Sequence, residues 1–199
     1  MKRVFDIVVS LVGLVVLLPV LLVAAMAVRL DSPGPIFFRQ RRIGRGFRPF
    51  FIYKFRTMTD NPQNAGAFFT IEHDPRITRV GKFLRQSKID ELPQLINVLK
   101  GEMTFVGPRP EVPSYVELFR ADYEEILRVR PGITDLASIK YRDEAAVLGR
   151  SPDPEAEYVK CVLPDKIKLA KEYIRRSSFL FDLGVMFKTF YRLFQRGLA

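Results

Sequence analysis

The sequence contains one cysteine, one histidine and no tryptophan. Cys161 has no second cysteine with which to form an intramolecular disulfide, and His73 alone cannot complete a zinc site of the usual Cys/His spacing. Neither residue has the partners that a nucleophile or a base requires, so we expect both to be structural. A bound metal would therefore need oxygen ligands, which favours Mg²⁺ or a similar hard cation.

Acidic residues are outnumbered by basic ones, with 22 Asp+Glu against 32 Lys+Arg and a net charge of +10. This balance predicts a negatively charged partner, which leaves nucleic acid, anionic lipid or a phosphorylated small molecule. The chain of 199 residues is long enough for one domain with its own core, but too short for two ordinary domains and a membrane anchor. We therefore expect a single functional unit.

No charged residue lies within residues 7–28. A helix of about 22 residues would reach roughly 33 Å, enough to cross a bilayer. A cleavable signal peptide is the competing interpretation because Lys2 and Arg3 form a basic start, but the apolar run is long for one and no small-residue cleavage site follows. Pro19 predicts a bend, and with Arg29 at the far end both ends can face the cytoplasm. These features allow either a re-entrant hairpin or a kinked spanning helix.

Residues 32–59 carry seven basic and seven aromatic side chains and no acid. Alternation around residues 35–39 and 51–56, with Gly44 and Gly46 between, predicts a small β-hairpin. The segment suits phosphate binding and base stacking, with Lys54 and Arg56 as candidate substrate ligands, but it could equally rest on anionic headgroups. The basic residues are Arg39, Arg41, Arg42, Arg45, Arg48, Lys54 and Arg56.

An acidic pair, Asp90 and Glu91, opens a segment with the apolar spacing of a helix. Its apolar face is formed by Ile89, Leu92, Leu95, Ile96 and Leu99. Pro93 fits a first turn and Gly101 fits a stop, so Asp90 is predicted to be the N-cap. Acids at this place commonly only cap a helix. The catalytic alternative is favoured by two later turns that offer arginines and backbone amides for phosphate, Gly107-Pro108-Arg109-Pro110 and Arg130-Pro131-Gly132-Ile133-Thr134.

Eight short blocks follow one another along the chain. They are Lys2-Arg3-Val4-Phe5-Asp6, Gln40-Arg41-Arg42-Ile43-Gly44, Tyr53-Lys54-Phe55-Arg56-Thr57-Met58, Asp74-Pro75-Arg76-Ile77-Thr78, Ile89-Asp90-Glu91-Leu92-Pro93-Gln94, Asn97-Val98-Leu99-Lys100-Gly101-Glu102-Met103, Val106-Gly107-Pro108-Arg109-Pro110 and Arg130-Pro131-Gly132-Ile133-Thr134. One block alone would be weak evidence. In this order and spacing the chain resembles, over nearly its whole length, the bacterial sugar transferase family, the monotopic phosphoglycosyl transferases in their small form.

The resemblance implies a two-step exchange at the acidic pair. Asp90 would attack the β-phosphorus of a UDP-sugar, UMP would leave, and the phosphosugar would stay on the aspartate until polyprenyl (undecaprenyl) phosphate takes it. Glu91 would hold Mg²⁺ together with Asp90 or handle a proton. The family arginines that match Arg85, Arg109 and Arg142 imply phosphate binding by these residues.

The resemblance also implies a membrane position and a set of partners. Residues 1–30 would form a re-entrant helix broken at Pro19, and residues 31–199 a catalytic domain on the cytoplasmic face of the bacterial inner membrane. The expected partners are a UDP-sugar, polyprenyl phosphate, membrane lipids and downstream glycosyltransferases, with no nucleic acid. The expected fold is mainly helical α+β, with a small β element and interfacial amphipathic helices.

The chain departs from the family pattern at three places. Leu18 stands where a serine often precedes the helix-breaking proline, Asp135 follows Thr134 where glycine is usual, and Lys140-Tyr141 precedes Arg142 where a small residue is common. The last two changes are expected near the sugar end of the site. They leave the acidic pair unchanged.

The C-terminal segment has helical spacing of both apolar and basic residues. The apolar positions are Phe179, Leu183, Phe187, Phe190 and Phe194, and the basic ones are Lys188, Arg192 and Arg196. We expect an amphipathic helix in the plane of the headgroups, with a core-packing helix as the alternative. For the whole chain, the alternatives are a membrane-tethered adaptor that binds anionic lipid or nucleic acid, and an enzyme anchored by a truly spanning helix.

Overall fold

A computed structural model of the protein describes residues 1–59 and 74–195, without the side chains of 193–195. The expectations for His73, for Arg196 and for the side chain of Phe194 lie outside this part of the chain. The described residues are mostly helical and contain two separate two-stranded sheets, which confirms the predicted helical α+β class. The chain divides into two compact units, the first made of residues 1–40 and 51–101 and the second of residues 41–50 and 102–199.

The first unit begins with a pair of helices joined at a sharp bend. Helix α1 spans Lys2–Val16 and α2 spans Leu18–Asp31, with a bend of 63° between them. Pro19 lies in the first turn of α2, where its missing N–H costs no helical hydrogen bond. The predicted break is therefore confirmed. No single helix in the described ranges is long and apolar enough to cross a membrane, but the bent pair passes that test of length and composition together.

Helix α1 buries its polar side and exposes its apolar side, the reverse of a surface helix in a water-soluble domain. Asp6 and Ser10 are 1% and 0% exposed, and Gly13, on the same side, has the side chain of Leu95 against it. The opposite side exposes apolar residues such as Leu11 and Val15. The polar and small side of α1 packs against the helix that carries Leu95, and the apolar side is left uncovered.

Helix α2 packs onto the rest of the first unit through small side chains. Ala24 and Val28 form a core with Phe55 and Leu84, and the C-terminal end of α2 is held by Arg56. The remaining elements of this unit are α3 (Arg79–Ser87), a 3₁₀ turn (Ile89–Glu91) and α4 (Gln94–Lys100). Strands β1 (Phe37–Ile43) and β2 (Pro49–Phe55) contribute residues 37–40 and 51–55 to it.

Strands β1 and β2 form the predicted hairpin. A connection of this length can join only antiparallel strands, since parallel ones need a crossover of about a dozen residues. Phe37 stacks on Phe55 with ring centroids 5.5 Å apart. The turn of the hairpin belongs to the second unit, where the Gly46 N–H donates to the Leu127 carbonyl at 2.8 Å.

The second unit is a set of short helices around a small parallel sheet. Its elements are β3 (Thr104–Val106), α5 (Pro113–Leu118), α6 (Arg120–Ile126), β4 (Gly132–Thr134), α7 (Leu136–Lys140), α8 (Glu144–Gly149), α9 (Pro154–Glu157), a π-helical turn (Tyr158–Val162), α10 (Leu163–Arg176) and α11 (Phe179–Gln195). Strand β3 pairs with β4, and Val106, Tyr173 and Val185 form a core beside them.

The two glycine-containing turns predicted to bind phosphate lie against each other in this unit. A side chain at Gly132 would come within 2.2 Å of the Gly107 backbone nitrogen, so only glycine permits this approach. The Gly132 N–H donates to the Pro108 carbonyl at 3.0 Å. The two sequence blocks therefore form one backbone assembly.

Candidate active site

The acidic pair lies in a 3₁₀ turn between α3 and α4. Lys88 precedes the turn in the left-handed conformation, with φ 59°. Helix α4 begins only at Gln94, with Pro93 as its N-cap, so the prediction that Asp90 caps this helix was wrong. A non-glycine residue in the left-handed region costs about 1 kcal/mol, which the surrounding packing has to offset. The predicted stop at Gly101 is confirmed, because Gly101 ends α4 with φ 80°.

Asp90 is a buried carboxylate with an unused acceptor. It is 7% exposed, and its buried Oδ1 has no hydrogen-bond partner among the described residues. Burial raises the pKa of the Asp90 carboxyl and the charge of Glu91 raises it further, while the charges of Lys54, Lys88 and Arg85 act in the opposite direction. A carboxylate kept dry and partly compensated by cations is a stronger nucleophile than one in water.

Glu91 is joined to the hairpin. Its Oε1 accepts a hydrogen bond from Lys54 Nζ at 2.8 Å, and both side chains are mostly buried. Strand β2 thus supplies a cation to the acidic pair, as expected for a group that offsets the repulsion of an incoming diphosphate. The structure brings Asp90, Glu91 and Lys54 together.

Arg85 reaches the same region from α3. Its Nε donates to Thr57 Oγ1 at 2.8 Å, and its charge acts on Asp90. The placement of α3 depends on Gly81, where a side chain would come within 2.1 Å of the Thr57 carbonyl oxygen. Burial lowers the pKa of the Arg85 guanidinium, and Asp90 opposes that effect. Arg85 is therefore held against the segment after β2 at a position from which its charge reaches the acidic pair.

Asn97 is a residue of this site that the sequence analysis did not single out. It is fully buried; its Nδ2 donates to the Phe51 carbonyl at 2.8 Å, and its Oδ1 accepts from the Tyr53 N–H at 3.1 Å. The Asn97 amide thus makes the two backbone hydrogen bonds that a neighbouring strand would make with β2, and it joins β2 to α4. The only signal in the sequence was its presence in a family block, Asn97-Val98-Leu99-Lys100.

Gln94 is a second residue that was missed. It is 2% exposed, and its Nε2 is buried without a hydrogen-bond partner in the part of the chain that the structure describes. It lies four residues after Asp90, whose Oδ1 also lacks a partner there. Buried polar atoms without partners are uncommon in folded proteins and are often ligand contacts.

Arg56 lies elsewhere in the first unit and is 4% exposed. Its Nη2 donates to the Ser32 carbonyl at 2.6 Å, and its Nη1 to the Pro33 carbonyl at 2.7 Å. These contacts stabilise the end of α2, where a cation also interacts well with the helix dipole. Phosphate binding by Arg56 stays a prediction, and its geometry favours a structural role.

Arg109 and Arg142 belong to the second unit. The Arg109 backbone N–H donates to Asp135 Oδ2 at 3.1 Å, and its Nη1 to the Ile133 carbonyl at 3.3 Å. The Arg142 Nη1 donates to the Arg192 carbonyl on α11. Phosphate binding by these two arginines stays a prediction.

The departures from the family pattern in the second unit have structural explanations. Asp135 caps α7, because its Oδ1 accepts from the Ser138 N–H at 2.6 Å. Lys140 Nζ and the Tyr141 hydroxyl both donate to Asp165 Oδ2 at 2.7 Å, which ties α7 to α10. These residues hold the helices of the second unit in place.

The donor set at the acidic pair fits Mg²⁺. The described residues hold no cluster of three or more His, Cys, Asp or Glu side chains of the kind that makes a protein cage for a metal. Mg²⁺ usually needs only one or two carboxylates and takes water and substrate phosphate as its other ligands. Two adjacent carboxylates, with one oxygen of Asp90 free of any described partner, meet that requirement.

Comparison with known proteins gives the family. The profile of the family described as bacterial sugar transferase matches residues 1–196, and the chain belongs to this family. It is 39% identical over 193 residues to the UDP-N-acetylgalactosamine-undecaprenyl-phosphate N-acetylgalactosaminephosphotransferase of Aeromonas hydrophila, a match that covers 94% of this chain and 42% of the relative.

Two further relatives are similar to the chain over different shares of their length. The UDP-glucose:undecaprenyl-phosphate glucose-1-phosphate transferase of Escherichia coli K12 is 38% identical over 203 aligned positions, which cover 100% of this chain and 41% of the relative. The exopolysaccharide production protein PSS of Rhizobium leguminosarum is 45% identical over 148 residues, which cover 70% of this chain and 74% of the relative. The chain therefore spans about two fifths of the Aeromonas and Escherichia relatives.

Proposed function

We propose that the chain is a phosphoglycosyl transferase that moves a sugar 1-phosphate from a UDP-sugar to polyprenyl (undecaprenyl) phosphate and releases UMP. The observation that carries the proposal is the buried Asp90 carboxylate. One of its oxygens has no described hydrogen-bond partner, and the positive charges of Lys54, Lys88 and Arg85 stabilise its ionised form. The names of the Aeromonas and Escherichia relatives support this chemistry. The product would begin a lipid-linked glycan that downstream glycosyltransferases extend.

The first step uses Asp90 as the nucleophile. A carboxylate oxygen bonds to the β-phosphorus of the UDP-sugar, the bond from that phosphorus to the bridging oxygen breaks, and UMP leaves with the electron pair. The sugar phosphate is then held on Asp90 as an acyl phosphate. Lys54 and Arg85 offset the charge that accumulates around the phosphorus.

The second step returns the aspartate. A phosphate oxygen of polyprenyl phosphate bonds to the phosphorus of the acyl phosphate, and the bond to the Asp90 oxygen breaks, giving polyprenyl diphosphate sugar and a free carboxylate. Glu91 is held beside Asp90 by its hydrogen bond from Lys54, where it would share a bound metal or handle a proton in this step. Mg²⁺ held by Asp90 and Glu91 would neutralise phosphate charge when bound.

We place the enzyme at the cytoplasmic face of the inner membrane, with α1 and α2 as a re-entrant pair. The uncovered apolar side of α1 supports this placement, because such a surface would be unfavourable in water. The bend at Pro19 and the basic residues near both ends of the pair also support it. An acceptor with a long hydrocarbon tail would then meet the soluble donor at the bilayer surface.

The test compares the wild-type protein with the Asp90→Asn variant, which should not release UMP. With a panel of UDP-sugars and no acceptor, rapid quenching should trap a labelled sugar phosphate on the wild-type protein and none on the variant. Overall turnover should fall by at least about a thousandfold, since the nucleophile is removed. Asp122→Asn, on the surface of the second unit, is the matched control. Turnover that does not depend on Asp90 would refute its role and favour the lipid- or nucleic-acid-binding adaptor.

A further inference from the structure

The bent helix pair of the first unit contacts both helices that flank the acidic pair. Asp90 and Glu91 lie in the connection between α3 and α4, residues 88–93, which we name the acidic turn. Helix α1 packs against α4, and α2 packs against α3. The acidic turn thus joins two helices that are each covered by one helix of the bent pair.

Arg3, in the first turn of α1, holds the carboxyl end of α4. Its Nη1 donates to the Val98 carbonyl at 2.5 Å, and its Nη2 donates to the Leu99 carbonyl at 2.8 Å. The guanidinium lies so close to the end of α4 that a side chain at Gly101 would meet it at 3.2 Å. The last carbonyls of an α-helix lack the usual intrahelical partner and carry the negative end of the helix dipole. Arg3 is therefore a charged C-terminal cap of α4.

Asp31, the last residue of α2, holds the amino end of α3. Its Oδ2 accepts a hydrogen bond from the Val80 N–H at 3.1 Å, and the Thr78 side chain accepts from the neighbouring Gly81 N–H. A carboxylate at this place satisfies a free amide and interacts well with the positive end of the helix dipole. The two outer ends of the α3–α4 segment are thus held by opposite charges, each of the sign that suits its helix end.

Apolar contacts of the bent pair reach the acidic turn itself. Ile89, the residue before Asp90, packs against the core that contains Ala24 and Val28 of α2. Lys88 has a left-handed conformation, which persists only where the surrounding structure fixes it. An error of about 1 Å in the position of a reacting group can lower a rate about a hundredfold. The placement of the Asp90 carboxylate therefore depends on how the two helices beside it are held.

We propose that Arg3 and Asp31 are positioning residues for the exchange reaction: by fixing the outer ends of α4 and α3, they set the conformation of the acidic turn and the direction of the Asp90 carboxylate. The proposal rests on the proposed function, because it assigns both residues to the step in which Asp90 attacks phosphorus. Neither side chain needs to touch the substrate. The bent pair then has a part in the chemistry in addition to its place in the membrane.

The first experiment separates positioning from stability. Arg3→Gln and Asp31→Asn, the two cap variants, are compared with wild type in nanodiscs, and Lys82→Gln and Asp122→Asn are controls that lose the same charges from surface positions. Formation of the labelled phosphosugar enzyme is followed in single turnover without acceptor, at a temperature where thermal unfolding shows every protein to be folded. The rate should fall about tenfold in both cap variants, with the donor concentration for half-maximal rate unchanged. The controls should match wild type.

Conservative variants test the chemistry of the two caps. Arg3→Lys keeps a charged donor for the α4 carbonyls, and Asp31→Glu keeps a carboxylate at the start of α3, so each should recover about threefold or more of the lost rate. A cap that serves folding alone would lower the rate only in proportion to the unfolded fraction. That result, or the wild-type rate in both cap variants, would overturn the proposal.

The second experiment needs no substrate. Amide hydrogen exchange of residues 88–92 is measured by mass spectrometry on the full-length proteins in nanodiscs. It should be about tenfold faster in both cap variants than in wild type and unchanged in the controls, because the loss of a cap lets the turn open more often. Equal protection in all of these proteins would also overturn the proposal. If the wild type forms no phosphosugar enzyme, the proposed function fails, and the exchange of residues 88–92 still decides whether the caps fix the acidic turn.

Discussion

Gln94 illustrates how a single buried amide can mark a substrate contact. Its Nε2 is buried without a partner among the described residues, and such an unpaired group costs about 1–3 kcal/mol. A protein retains that cost when a ligand supplies the missing partner. Gln94 begins α4, four residues after Asp90, so the donor phosphates are the candidate partner for this amide.

We therefore predict that Gln94→Leu lowers the activity without lowering the stability of the protein. Leucine has a similar volume and removes the unpaired amide, so the thermal unfolding midpoint should stay equal to that of wild type or rise. The rate of UMP release should fall about tenfold or more, which a coupled nucleotide assay measures. Gln86→Leu, at an exposed position of α3, is the control. Equal rates in both variants and wild type would show that Gln94 does not contact substrate.

Glu111 is a mostly buried acid with a structural role in the second unit. It pairs with Arg42 at 2.7 Å and accepts a hydrogen bond from the Tyr158 hydroxyl at 2.7 Å. Burial alone would raise the pKa of Glu111, but the charges of Arg42 and Lys166 and its hydrogen bonds bring that pKa below the ordinary value. Folding therefore favours the ionised form of the Glu111 carboxyl.

The pH dependence of stability follows from this direction. A carboxyl whose pKa is lowered by folding stabilises the protein above its unfolded pKa of about 4.3 and loses that effect as the pH falls through the folded value. Glu111→Gln should lower the free energy of unfolding at neutral pH by about 3 kcal/mol, because Arg42 loses its buried partner. Unfolding followed by circular dichroism should show this difference constant between pH 6 and 8 and smaller below about pH 4. The exposed Glu117→Gln should show neither effect, and a constant deficit down to low pH would contradict the assignment.

At the scale of elements, the joint between β2 and α4 aligns the acidic pair with its cation. Asn97 binds β2 on both sides of Ile52, and the next residue after Tyr53 is Lys54, which reaches Glu91. These two hydrogen bonds help to set the register of β2 against α4. A shift by one residue would turn Lys54 to the other face of the strand.

Asn97→Leu is predicted to weaken both stability and the placement of Lys54. The loss of two buried hydrogen bonds should lower the free energy of unfolding by about 2 kcal/mol, measured by thermal unfolding in detergent. UMP release should fall further than stability explains, at a temperature where the variant is still folded. Asn97→Asp keeps one acceptor for the Tyr53 N–H and should retain part of the activity. If Asn97→Leu released UMP at the wild-type rate, the joint would not matter for the site.

The elements show what local sequence can and cannot specify. Short-range signals predicted the hairpin, the break at Pro19 and the end of α4 at Gly101, and all three were confirmed. The predicted start of α4 was wrong because Lys88 adopts the left-handed conformation and begins a separate 3₁₀ turn. A lysine in the sequence does not predict that conformation. The burial of Arg56 and Asn97 was also missed. Polar side chains of this kind are normally exposed, and only tertiary contacts reveal the carbonyls that they bind.

At the scale of the whole molecule, uncovered apolar surface is found on helices of each unit. On α1 and α2 it includes Val15 and Val23, and on α11 it includes Phe187 and Phe190, which are 71% and 60% exposed. The predicted C-terminal helix is confirmed as Phe179–Gln195, with Val185 on its buried side. Its contact with lipid headgroups stays a prediction. Apolar exposure of this extent is typical of proteins that associate with a membrane.

The re-entrant arrangement makes a prediction that a spanning helix does not share. In a Cys161→Ser background, single cysteines are placed at Lys2 and at Pro35, the two polar flanks of the α1–α2 pair. If the pair enters and leaves one leaflet, a membrane-impermeant maleimide added to intact cells should label neither position, and both should be labelled once the inner membrane is permeabilised. A pair that crosses the bilayer would expose one of the two flanks on the outside. Labelling of either cysteine in intact cells would therefore contradict the re-entrant arrangement, whereas the bend of 63° with Pro19 in the first turn of α2 favours it.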